Sequence, residues 1–460
     1  MSSSIHLPYP YSLCPSKKLL SVACWRVSNR RKLSKNYSGR CGNSRRWRLK
    51  RKGWLSSKEP PSAASKQAEF RKKWMDYQGV NGWEGLLDPL DDNLRREILR
   101  YGDFVEAAYC SFDFDSSSPT YAMCKYPRSS LLRHTGICGS GYRVTKNLYA
   151  TCGLELPSCG DGWPAMKVPG WVSTRSSWIG FVAICEDGKE ISRLGRRDVV
   201  IALRGTGTCL EWIENMRVNL TCMHRGRGGH ADGEPMVQNG FLSLFTSKSA
   251  TRLSLRDTVR EEVGRIMRMH GGKPLSFTLT GHSLGAALAT LTAYDIHVAF
   301  EGTTPTVTVV SFGGPRVGNR SFRHRLEETG TNVLRIVNTD DPVTKVPGFI
   351  TDGSLSGHCD DSAAGLVPRW LRQRLMQDSS EWLYADVGRE LKLSSRECPH
   401  MYGLSMATSH DLKTYLKLVS CLVSSKCPLR ATTQRATEPR DPAFAPSLVK
   451  QSVTVQTQRA

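Results

Sequence analysis

Between Asp198 and Asn338 the chain alternates, over about 140 residues, short apolar runs with longer segments of helical periodicity. Asp198-Val199-Val200-Ile201-Ala202-Leu203 has one polar residue followed by five apolar ones, the pattern of a strand buried on both faces. Leu253 to Met269 reads as a helix, Leu275 to Thr280 as a strand, and Leu284 to Phe300 as a helix. Thr306 to Phe312 is again a strand, Ser321 to Glu328 a helix, and Asn332 to Asn338 a strand. A strand whose two faces are both apolar must be covered on both. The alternation therefore predicts an α/β fold with a mostly parallel sheet between two helical layers. Upstream, Trp178 to Cys185 is a further strand. Asp91, Asp92 and Asn93 offer caps for a helix in which Leu94, Ile98, Tyr101, Val105 and Ala108 recur at helical spacing.

One junction breaks the apolar pattern. Gly281-His282-Ser283-Leu284-Gly285 joins a strand to a helix rich in Ala and Leu. A nucleophilic serine needs its hydroxyl presented outward, near a base, with backbone donors aimed at the developing oxyanion. G-x-S-x-G at a strand-to-helix turn meets those needs, because Gly281 and Gly285 lack the side chains that would obstruct so tight a corner. The helix N-terminus adds partial positive charge. His282 sits beside Ser283, but adjacent residues at such an elbow point apart, so the base must come from elsewhere.

In an open α/β sheet the partners of such a serine follow it as acid, then base. Thr339-Asp340-Asp341-Pro342 places two acids at a strand's carboxyl end. Three histidines follow: His358 in a Gly/Ser loop, His400 after a proline, and His410 at a loop-to-helix junction. Position alone favours His410 and leaves the choice between the aspartates open. Leu203-Arg204-Gly205-Thr206-Gly207-Thr208 follows a buried strand, and its glycines would let backbone approach a substrate. Beyond it, Leu210, Trp212, Ile213 and Met216 form an apolar face flanked by Glu211, Glu214 and Arg217. That face is either core packing or a lid that opens against lipid.

Composition bounds the rest. The net charge of +22 suggests nucleic acid until its location is read: fifteen Lys/Arg and no acid lie in the first 58 residues, leaving +7 for the other 402. That front is rich in Ser and Arg, lacks a long apolar centre, and fits a plastid transit peptide, so no nucleic-acid partner is expected. No apolar run approaches the 18 or so residues of a spanning helix. The 15 cysteines include no CxxC pair, which argues against a zinc finger or a disulfide scaffold. Residues 424–460 turn to Pro, Thr, Gln and Ser and read as a disordered tail.

Arg204-Gly205-Thr206, the Gly281 to Ala289 elbow, Ser311-Phe312-Gly313-Gly314-Pro315-Arg316-Val317-Gly318-Asn319 and His410-Asp411-Leu412 together resemble the fungal-lipase-like (class III) α/β-hydrolase family. Trp83 to Leu90, Arg95 to Gly102 and Tyr402 to Leu418 narrow the likeness to the plant chloroplast phospholipase A1 group of anther-dehiscence type. It covers roughly Trp74 to Val423, within a domain set at residues 64–423 that includes an N-terminal helical extension.

The resemblance implies Ser283 as nucleophile, Asp341 rather than Asp340 as acid, and His410 as base. It implies Thr206 and Leu284 as backbone oxyanion donors, and a lid at Leu210, Trp212, Ile213 and Met216. The implied reaction is release of the sn-1 fatty acid from phosphatidylcholine or plastid galactolipids, with no metal or other cofactor and peripheral contact with plastid membranes. Pro342-Val343-Thr344 departs from the family wording and is expected to shift the acid loop slightly. The rival readings are another serine acyl hydrolase (a triacylglycerol or monoacylglycerol lipase, or a thioesterase) and a non-catalytic lipid-binding module.

Overall fold

The computed structural model describes residues 63–153, 175–223, 234–347, 384–395 and 406–422. The segments expected to be a transit peptide and a disordered tail, together with His358 and His400, lie outside those residues. The strands in chain order are β1 Tyr142–Thr151, β2 Ser176–Cys185, β3 Arg197–Leu203, β4 Leu220–Cys222, β5 Met236–Gln238, β6 Leu275–His282, β7 Thr306–Phe312, β8 Gly318–Asn319, β9 Asn332–Asn338, β10 Tyr384–Ala385 and β11 Arg389–Leu393. The helices that shape the cores and the site are α1 Asp92–Ser111, α2 Cys209–Asn215, α3 Asn239–Thr246, α4 Leu255–His270, α5 Leu284–Ala299, α6 Arg320–Glu328 and α7 Leu412–Cys421.

Seven strands form one sheet in the order β1-β2-β3-β6-β7-β9-β11. From β3 to β11 every neighbouring pair is parallel, while β2 runs antiparallel to both β1 and β3. A second, four-stranded sheet follows the order β10-β8-β5-β4. Alternate residues of each central strand feed opposite cores, as strand geometry requires. Val199, Ile201 and Leu203 of β3 join Phe277 and Leu279 of β6 in a core built with α3, α4 and α5. Val200 and Ala202 join Val310 and Phe312 of β7 in a core built with α1 and α7. This is the α/β-hydrolase fold.

Helix α1 starts where the sequence offers caps: the Asp91 carboxylate accepts the Asn93 and Leu94 amides at 2.8 and 3.0 Å. Its buried stripe, Leu94, Ile98, Tyr101, Val105 and Ala108, is the one predicted from spacing. Burying each large member contributes about 1.5–3 kcal/mol. The parallel register brings three loops together at one end of the sheet. Leu203 pairs with Gly281 and His282 with Phe312, so the loops leaving β3, β6 and β7 emerge side by side.

Two strands leave little signal in the sequence. β1 carries Arg, Lys and Asn among its apolar residues, and β11 holds only Leu391 and Leu393 as buried apolar anchors. Both are edge strands, whose solvated sides dilute the apolar signal. Among the described residues Cys124, Cys138, Cys185 and Cys421 are free thiols, and no helix is long and apolar enough to cross a membrane.

Candidate active site

Gly281 and Gly285 are required by contact. A Cβ on Gly281 would collide with the Gly285 backbone, and one on Gly285 with the Leu203 and Arg204 carbonyls. Ser283 sits between them at φ 56°, ψ −123°, one of three non-glycine residues with positive φ among those described. Such a conformation costs about 1–3 kcal/mol and persists only where the surroundings over-determine it. The Ser283 amide donates to the Phe312 carbonyl at 3.0 Å, and the Ser283 carbonyl accepts the Ala286 amide at 3.0 Å. Its hydroxyl does not cap the helix; it points to a histidine instead.

That histidine is His410. Its Nε2 lies 2.9 Å from Ser283 Oγ and its Nδ1 2.7 Å from Asp341 Oδ2. A carboxylate only accepts, so Nδ1 carries the proton and Nε2 faces the serine with its lone pair. Asp341 is fully buried. Its Oδ1 accepts the Val343 amide at 2.9 Å and its Oδ2 also accepts the Tyr415 hydroxyl at 2.6 Å. Burial, then the Asp341 charge, push the Tyr415 phenol well above its ordinary range, so it stays a donor. Asp340 faces elsewhere and accepts the Ser395 amide at 3.2 Å.

The loop carrying His410 is pinned from β9, where Asn338 Nδ2 donates to the Ser409 carbonyl at 3.0 Å. Pro342 opens a single 3-10 turn, Pro342–Lys345, capped by Asp341 itself. Proline suits a first helical position, and the Asp341 carboxylate caps the turn through the Val343 amide.

Leu284 is the first residue of α5, where the amide has no acceptor within the helix. On the other side, Gly205 packs its backbone onto the elbow: a Cβ there would lie 3.0 Å from the His282 carbonyl and 3.2 Å from Ser283 Cβ. Thr206 follows, its hydroxyl accepting Asn215 Nδ2 at 2.8 Å. The loop owes its shape to a buried ion pair. Glu211 accepts from both terminal guanidinium nitrogens of Arg204 at 2.9 and 3.0 Å, and its Oε2 accepts the Gly207 and Thr208 amides at 2.6 and 3.1 Å. Burial alone would raise the Glu211 carboxyl; Arg204 and these donors reverse that and hold it below its usual range.

In this structure the expected lid is packed down at one position. Leu210 lies in the core with α3 and α5, and the flanking Glu211 and Glu214 are buried rather than solvated. Glu214 accepts Ser243 Oγ at 2.6 Å and Arg217 Nη1 at 2.7 Å. Two buried carboxylates anchor α2, and only Met216, 44% exposed, presents an apolar surface among the described side chains of that face. The side chains of Trp212 and Ile213 lie outside the described residues.

Three contributors are not evident from the sequence. Tyr415 is five residues after His410, Tyr109 sits on α1, and Glu211 resembles a solvated flank of an apolar face. Only Tyr415 carries a usable signal, since the first turns of α7 bring it back beneath the base.

A nucleophile elbow with serine, histidine and aspartate in line at the carboxyl ends of a parallel sheet defines a serine acyl hydrolase of the lipase type. In agreement, the family described as lipase (class 3) matches residues 200–351. The chain is 55% identical over 379 residues to phospholipase A(1) DAD1, chloroplastic, of Arabidopsis thaliana, covering 82% of each protein. It is 38% identical to phospholipase A1 EG1, chloroplastic/mitochondrial, of Oryza sativa subsp. indica, over 78% of this chain and 77% of that one. To galactolipase DONGLE, chloroplastic, of Arabidopsis thaliana it is 38% identical over 75% and 69%. The chain belongs to the class 3 lipase family, within its phospholipase A1 branch.

Proposed function

We propose that this protein is a plastid acyl-ester hydrolase that releases the sn-1 fatty acid from membrane glycerolipids, phosphatidylcholine or galactolipids, with Ser283, His410 and Asp341 as its triad. The observation that carries the reading is the unbroken line from Ser283 Oγ through His410 to Asp341 Oδ2. His410 Nε2 takes the hydroxyl proton as Oγ bonds to the ester carbonyl carbon. The Thr206 and Leu284 amides hold the resulting oxyanion, each donor being worth about 2.7–4 kcal/mol. Collapse breaks the ester C–O bond, and the same proton passes from His410 to the leaving lysolipid oxygen. A water molecule then repeats the sequence on the acyl-enzyme and frees the fatty acid. Residues 1–58 would deliver the protein to the plastid, and residues 64–423 would form the hydrolase domain.

The headgroup and positional reading rests on the relatives named phospholipase A1 and galactolipase. The test is incubation with vesicles of one phospholipid or one galactolipid whose two acyl chains differ, followed by mass spectrometry of the products. The expected products are the sn-1 acid and the 2-acyl lysolipid, absent with Ser283→Ala. Hydrolysis undiminished in Ser283→Ala would refute the triad, and release of the sn-2 chain would refute the regiochemistry.

A further inference from the structure

His282, the residue beside the proposed nucleophile, is only 5% exposed and has both ring nitrogens engaged. Its Nε2 lies 2.7 Å from the backbone carbonyl of His410, and its Nδ1 lies 2.8 Å from the Tyr109 hydroxyl. A carbonyl only accepts, so the proton sits on Nε2 and Nδ1 must be an acceptor. Tyr109 O–H therefore donates to Nδ1. The same phenolic oxygen accepts the Gly205 amide at 2.9 Å. Every polarity in the chain is now fixed: Gly205 N–H to Tyr109 oxygen, Tyr109 O–H to His282 Nδ1, His282 Nε2–H to the His410 carbonyl.

The two ends of this chain are the two parts of the site that have no covalent closeness. Gly205 adjoins Thr206 on the loop after β3, whereas His410 arrives more than 200 residues later on the loop before α7. The His282 and His410 rings stand 4.7 Å apart between centroids, and the Tyr415 ring lies 6.1 Å from that of His282. A second cation so close to an imidazolium would oppose its formation. Burial and His410 itself keep His282 well below the ordinary histidine range, and hence neutral.

We infer that His282 is a positioning residue: with Tyr109 it forms a rigid, uncharged strut that sets the distance between the base loop and the oxyanion loop. The strut acts through the backbone of His410, leaving that ring free for Ser283 and Asp341. A displacement of the base by about 1 Å is enough to cost on the order of 100-fold in rate, and a strut of this kind prevents it. The inference rests on the proposed triad.

The experiment compares His282→Leu, His282→Gln, Tyr109→Phe and the His282→Leu/Tyr109→Phe double variant on a soluble short-chain ester. Thermal unfolding is measured in parallel, and Ser283→Ala serves as the control. His282→Leu is expected to lower kcat about 30-fold with KM within about twofold, because binding is untouched and only alignment suffers. Glutamine keeps a donor for the His410 carbonyl and is expected to restore most of that loss. Tyr109→Phe should lower kcat about fivefold, and the double variant should be no worse than His282→Leu within about twofold, since both changes break one chain.

Wild-type kcat in folded His282→Leu, a glutamine variant as slow as the leucine one, or losses that multiply in the double variant would each overturn the inference. Should His282→Leu fail to fold, Tyr109→Phe, which removes one hydroxyl, decides alone: a kcat loss at unchanged KM supports the strut, and wild-type kcat overturns it. An active Ser283→Ala control would instead bring down the triad reading itself, which separates the two failures.

Discussion

Two buried polar networks lie at opposite ends of the same central strands, and they treat charge differently. At the amino end of β3, Asp198 is fully buried and surrounded. Tyr142 donates to it at 2.7 Å, Ser276 at 2.9 Å, Tyr101 and Arg100 at 3.2 Å, with Arg196 at 3.7 Å. Burial by itself would raise the Asp198 carboxyl, but the two guanidinium groups win and lower it. At the carboxyl end, Asp341 is equally buried, yet among the described residues no arginine or lysine hydrogen-bonds to its carboxylate. An amide, a phenol and one imidazole hold it.

The contrast separates a network built to stay put from one that, in the proposed reaction, moves a proton. Surrounded by fixed cations, Asp198 holds α1 and β3 to β6 and has nothing left to give. Asp341 is left with one polarisable partner, so a positive charge appearing on His410 meets an acid that no standing cation has neutralised. Ser283, one of the three non-glycine residues with positive φ among those described, lies beside the second network.

Exchanging one oxygen for an amide should break the two networks in different ways. Asp341→Asn is expected to lower kcat about 10⁴-fold, because the amide favours the wrong His410 tautomer while fitting the same space. Thermal unfolding should change little by comparison; a kcat within about tenfold of wild type would erase the distinction between the two networks. Asp198→Asn is expected to lower stability by about 3–5 kcal/mol, since Arg100 and Arg196 lose a buried counter-charge. Denaturant unfolding reads that loss, while kcat per folded molecule should stay near wild type. A stable but inactive Asp198→Asn would show that the amino-end network also serves the chemistry. The smallest effect is expected for Tyr415→Phe, which removes one of three donors on Asp341 and should lower kcat by about three- to tenfold. An unchanged rate would mean that the phenol holds α7 in place without tuning the acid.

The central β-α alternation is legible in the sequence because buried parallel strands are apolar on both faces, and β3, β7 and β9 begin and end within a residue of where their patterns do. The elbow is legible for a different reason: Gly281 and Ser283 answer to the tight turn itself, and Gly285 to the close approach of the Leu203 and Arg204 carbonyls, and the three fall in one five-residue pattern. Selection among Asp340, Asp341, His358, His400 and His410 is another matter. It depends on which loops meet above the sheet, information that spacing along the chain does not carry, and only family resemblance singles out Asp341. The same limit hides Tyr109, 173 residues from the histidine it touches. Glu211 and Glu214 mislead because a carboxylate beside apolar residues looks solvated until its buried partner, such as Arg204, is seen.

The central claim is that Ser283 is the nucleophile, activated by His410. Labelling with a fluorophosphonate that traps activated serines, followed by peptide mass spectrometry, addresses it at the reacting atom. The expected result is a single adduct per molecule, on Ser283, that is lost in Ser283→Ala and slowed by orders of magnitude in His410→Ala. An adduct at another serine, or ester hydrolysis that continues with Ser283 fully labelled, would contradict it.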